Sequence, residues 1–161
     1  MSRILYFFVF LTCDILGASP DFREELTKIT TEAAKKIEIK YNVTNCGSGG
    51  GTMYGIDFAA LSFDSKRSFT VEEARGVIVG AADMIKEAIN SNKIIRSYLE
   101  EYPFPIERIE LTFFIRPQSD VKLVSLSKNA IITYSVKDEH DHYKDILEET
   151  YPQAKEHLDE K

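Results

Sequence analysis

The chain has 161 residues, a net charge of −6 and a pI near 5.2, with 43% hydrophobic and 29% charged residues. That length suits one domain, and a domain of about 150 residues buries roughly 70% of its unfolded surface, so wholesale disorder is excluded. The acidic balance, relieved only by the pairs Lys35-Lys36 and Lys66-Arg67, argues against a nucleic-acid partner, because phosphate binding depends on cationic surface.

Arg3 precedes an apolar run over residues 4–11, which is followed by Gly17-Ala18-Ser19. A charged start, a short apolar core and small residues predict a signal peptide over residues 1–18, cleaved after Ala18. The run falls short of the roughly 20 residues that span a bilayer, so no transmembrane segment is expected after cleavage. Leu16 and Asp14 fit this pattern poorly. Two other readings stay open: a buried first strand, since the run is rich in aromatic and β-branched residues, and a lipid anchor on Cys13. Cleavage leaves Cys46 as the single thiol, so the expected domain over residues 19–161 has no internal disulfide and relies on its core.

Ser19-Pro20, or Asp21 with Glu24, suits a helix start. Phe22, Leu26, Ile29, Ala33 and Ile37 recur at helical spacing, and a helix is expected to about residue 40. Residues 45–52, NCGSGGGT, read as a break between elements. A strand is expected over 53–63, with Tyr54, Ile56, Phe58 and Ala60 on one face. Thr70 and Glu73 form a capping box at the start of the clearest helix, whose buried face is Ala74, Val77, Ile78, Ala81, Ile85, Ala88 and Ile89. Gly76 and Gly80 would let that helix approach a sheet closely. Residues 93–101 suggest a shorter helix, stopped at Tyr102-Pro103-Phe104-Pro105. Its aromatics and Arg96 offer either a binding surface or closure of the core.

Strands follow at 109–116, where Ile109, Leu111, Phe113 and Ile115 alternate with outward residues, then at 121–126 and 130–136. Residues 138–141 make a polar turn, 143–148 a further strand, and Thr150 with Gln153 caps a last helix. This order predicts an α+β fold: an antiparallel sheet of about four or five strands with helices packed on one face.

Chemistry has few candidates. The backbone amides of Gly47, Ser48, Gly49, Gly50 and Gly51 suit an anion or other ligand, although the spacing matches neither nucleotide fingerprint and a flexible turn explains the run more simply. Cys46 beside it is a nucleophile only with a base, and the chain holds three histidines, His140, His142 and His157. His140 and His142 share one side of an extended segment and could hold a metal with Asp138, Glu139 or His157. A solvated turn explains them equally well. Glu72-Glu73, Glu100-Glu101 and Glu148-Glu149 diverge in direction and read as surface or helix-end charge. Asn42-Val43-Thr44 matches a glycosylation acceptor. No catalytic residue and no cofactor is expected from these patterns.

The glycine run before a strand, the helix opening Val71-Glu72-Glu73-Ala74-Arg75, and Asn90-Ser91-Asn92 with Ile95-Arg96 leading to Tyr102-Pro103-Phe104 together resemble a group of small exported bacterial proteins of no known activity. The resemblance covers residues 20–155. It implies an exported setting (periplasmic, envelope-associated or secreted) and no site residues. The reading that follows is an exported, non-enzymatic binding or interaction domain with a protein or small-molecule partner. The alternative is a small hydrolase or metal-dependent enzyme using Cys46 or the His140/His142 pair.

Overall fold

Helix α1 (Phe22–Tyr41) starts where the Asp21 carboxylate accepts the Arg23 N–H at 3.0 Å, and it ends at Asn42, whose left-handed backbone donates to Glu38 O. The computed structural model describes residues 21–51 and 55–160. The expected signal peptide, Cys13, Ser19-Pro20, Met53 and Tyr54 lie outside the described residues. Leu26, Ile29, Ala33 and Ile37 are buried along α1, as their spacing predicts.

The glycine-rich stretch is not a break. It forms strand β1 (Val43–Gly50), paired antiparallel with β2 (Ala59–Ser65), with Cys46 as the extra residue of a bulge. An edge strand needs hydrogen bonds on one side only, and β2 supplies them, which offsets the low strand propensity of glycine.

Strand β2 starts later than expected, and its buried residues are Ala59, Leu61, Phe63 and Ser65, the opposite phase from the predicted one. Ile56 is buried too, but in a separate parallel bridge to Leu99, and the irregular residues between it and Ala59 shift the alternation by one. That bridge takes Ile56 N–H to Tyr98 O at 2.8 Å and Glu100 N–H to Ile56 O at 3.2 Å. Extended backbone there leaves one 3₁₀ turn, Arg96–Tyr98, where a short helix was expected over 93–101. Phe104 is fully buried, and Asn90 brackets its backbone at 2.6 and 3.1 Å, so this connection closes the core.

Helix α2 (Val71–Ser91) carries the predicted capping box. Its glycines meet neighbouring helices and not the sheet: a methyl group on Gly80 would collide with the Tyr41 hydroxyl of α1, and one on Gly76 would touch Leu158. Then come β3 (Ile109–Ile115), β4 (Leu123–Ser127), β5 (Ile131–Lys137), β6 (Tyr143–Thr150) and α3 (Tyr151–Asp159). The α3 capping box forms between Thr150 and Gln153 as predicted.

The fold is α+β, with a six-stranded sheet in the order β1-β2-β3-β4-β5-β6. It is mixed and not wholly antiparallel, because α2 carries the chain over from β2 to a parallel β3. Phe63, Phe113, Val124 and Tyr134 lie side by side across four strands, and beside them run Leu61, Leu111, Leu126 and Ile132. These rows face the three helices. The other face carries Ser62, Thr112, Ser125 and Thr133 in line, all half-buried.

Candidate functional site: the glycine edge of the sheet

The candidate ligand residues Gly47 to Gly51 lie on or just past β1, at one edge of the sheet. Gly51 N–H donates to Phe58 O at 3.0 Å. An antiparallel ladder alternates from such a bond, so Gly49 and Gly47 also turn their backbone groups toward β2, while Ser48 and Gly50 turn theirs outward. Upstream, the outward Asn45 N–H is taken by the Glu38 carboxylate of α1 at 2.7 Å, and the Asn45 side chain spans the bulge to Gly47 O and Ser62 O. Among the described residues no partner meets the outward groups of Ser48 and Gly50.

Beside this edge runs a shallow groove of about 140 Å³, walled by Arg23, Leu26, Thr27 and Thr30 of α1 and by β1 itself. Its walls are neutral except for Arg23, whose guanidinium also lies 5.6 Å from the Phe22 ring.

The glycines divide by cause. Gly50 has φ 153°, and a methyl group there would lie 2.7 Å from Phe58 O and 3.3 Å from Leu26, so the fold requires glycine. At Gly49 a methyl group meets nothing within 4 Å, and at Gly47 only Ser62 Cβ at 3.9 Å. Interior strand glycines cost stability through backbone entropy, and Gly47 and Gly49 repay none of it in packing. A bare strand backbone of this kind is found where a ligand or another chain comes close.

Cys46 is exposed at the bulge. Partial burial of its thiol, and then the nearby Asp64 carboxylate, push its pKa up, which disfavours the thiolate that a nucleophile needs. Sheet order puts Cys46 on the opposite edge from β6 and the turn before it, about 20 Å or more away at strand spacing, so no histidine joins it.

His140 and His142 sit on that turn, with ring centroids 6.3 Å apart and both backbone amides bonded to Asp138 Oδ1. His157 is not with them. Among the described residues no group of three or more potential metal ligands forms. The paired carboxylates separate as expected in direction but not always to solvent. Glu73 serves the α2 cap, Glu72 pairs with Arg75, and Glu100 and Glu101 join Asp57 around Arg108.

Sequence reasoning missed a buried charged cluster. Glu149 Oε1 accepts from Arg75 Nε at 2.8 Å and from the Tyr134 hydroxyl at 2.6 Å, and Oε2 lies 3.0 Å from His157 Nδ1. Its members come from α2, β5, β6 and α3, with Arg75 and Glu149 74 residues apart in sequence, so no local pattern reveals them. Burial alone would raise the Glu149 pKa, but the hydrogen bonds from Arg75 and Tyr134 outweigh it and hold the carboxyl below its usual range. Burial likewise raises the Tyr134 phenol, and Glu149 adds to the rise. The cluster ties the last hairpin and α3 to α2.

Among protein-family models, curated proteins and solved structures, none matches this chain.

Gly49→Ala is expected to leave stability unchanged or raise it by about 0.4–1 kcal/mol, as less unfolded-state entropy is lost. Gly50→Ala is expected to lower it by about 1–3 kcal/mol through backbone strain; urea unfolding of both variants checks the contrast. Because the Glu149 pKa is depressed on folding, its contribution is complete above the unfolded carboxyl value near 4.3 and is lost as pH falls through the lower folded value. Glu149→Gln should therefore cost about 3 kcal/mol at pH 7, and the gap to the parent should close in acid, in unfolding curves recorded across that range.

Proposed function

We propose that this chain is an exported, non-enzymatic interaction domain that takes an extended polypeptide segment onto the outer edge of β1. The observation that carries the reading is the coincidence, on one short stretch, of outward unpaired backbone at Ser48 and Gly50 with glycines at 47 and 49 that packing does not require. Strand addition uses such features: main-chain hydrogen bonds hold the segment, and alternate side chains meet a neighbouring groove. Here the groove between α1 and β1 stands on the side toward which residues opposite Ser48 and Gly50 would point.

Each added backbone hydrogen bond contributes about 0.5–1.5 kcal/mol net, so an edge this short supports moderate affinity and reversible contact. Export enters through Arg3, the apolar run that follows it and the small residues at 17–19. Among the described residues no helix is long and apolar enough to cross a membrane. For the alternative enzyme, Cys46 and the His140/His142 pair stand on opposite sides of the sheet and do not combine in one site.

Random peptides displayed on phage, selected on the purified chain, supply the probe. Ser48→Pro removes an outward N–H and leaves the β2 ladder intact, a position where an edge strand tolerates proline. Selected peptides are expected to bind this variant at least about tenfold more weakly, with its melting temperature little changed. Equal binding to both forms would contradict the reading.

A further inference from the structure

We infer that the segment taken up at β1 is the β1 strand of a second copy of this chain, joining two sheets edge to edge about a two-fold axis; this rests on the edge reading above. The two edges of the sheet differ in what they permit. Strand β6 carries the charged residues Lys144, Asp145 and Glu148, a device that keeps strands from pairing, while each edge has one bulge, at Ile146 in β6 and at Cys46 in β1. Residues 43–51 hold no charged side chain, in a chain whose net charge is −6. At β1 two copies of this acidic chain bring sheet edges together with no charged side chain along either strand.

A two-fold axis perpendicular to the sheet makes the pairing antiparallel, and the outward groups of β1 already fit that symmetry. With the axis through Gly49, Ser48 of each copy lies opposite Gly50 of the other, and the outward N–H and C=O groups of both residues are satisfied reciprocally. Gly49 then faces Gly49 of the second copy across a close pair, about 4.5 Å between Cα atoms, with no side chain on either to obstruct the approach. This accounts for a glycine at a position where the chain by itself offers open space. Ser48 of the second copy points to the helix side, toward the small groove lined by Leu26, Thr27 and Thr30, in which Arg23 is the one charged side chain.

Two copies paired this way join their sheets into one continuous layer. The contact closes on itself, and the guarded β6 edges stop further growth.

The test is sedimentation equilibrium of the full chain, with Gly49→Lys and Gly49→Asp variants made separately and mixed. A methyl group at this position meets nothing, so both variants keep the fold, which circular dichroism verifies. The parent is expected to be a dimer. Each variant alone should associate at least about tenfold more weakly, because like charges meet on the axis, and an equimolar mixture should recover a heterodimer. A parent chain that stays monomeric overturns the inference, and so does a dimer equally strong in both variants. If the monomeric chain still binds selected peptides in a manner sensitive to Ser48→Pro, the edge reading stands and its partner is a different polypeptide. If neither association occurs, both readings fall.

Discussion

The parallel register of β2 on β3 determines everything around it. It sets Phe63 against Phe113, with rings stacked at 4.9 Å, and so decides which residues of both strands meet the helices. Val124 and Tyr134 follow from that choice through β4 and β5. A parallel pair needs a crossover, and α2 provides it, lying on the apolar face with α1 beside it and α3 on its other side. β1 then folds back antiparallel on β2 and is the outermost strand among the described residues, its outer flank unpaired there.

That outer position turns an unpromising sequence into a site. A glycine-rich segment in solution is a flexible linker. Held against β2 it presents backbone groups at fixed spacing, and α1 supplies a wall alongside. The opposite edge has been closed by charge, and the cluster around Glu149 fastens it to the helices. One edge strand carries charged side chains and the other carries none.

Local chemistry was legible in the sequence. The capping boxes at Thr70 and Thr150 each rest on residues three apart, and the alternation from Ile109 to Ile115 rests on one strand, so both were readable. The phase of β2 was not, because Ile56 suggested one face while the register with β3 imposes the other. The glycine run was flagged as a ligand candidate but taken for a loop: its strand conformation comes from β2, a tertiary partner that propensity does not include. Glu149 reads as surface or helix-end charge from the sequence, since nothing near it in the chain shows Arg75 as its partner. His140 and His142 lie on the polar turn, the plainer of the two readings their sequence allows, and His157 pairs with Glu149 instead.

Among the described residues β1 has one side paired with β2 and one side without a partner at Ser48 and Gly50. Residue-resolved amide hydrogen exchange on the dilute, monomeric chain tests it directly. The account predicts slow exchange at Gly47 and Gly49, whose amides face β2, and fast exchange at Ser48 and Gly50 between and beyond them. Equal protection at all four would contradict it, because the outer side of the strand would then already be occupied.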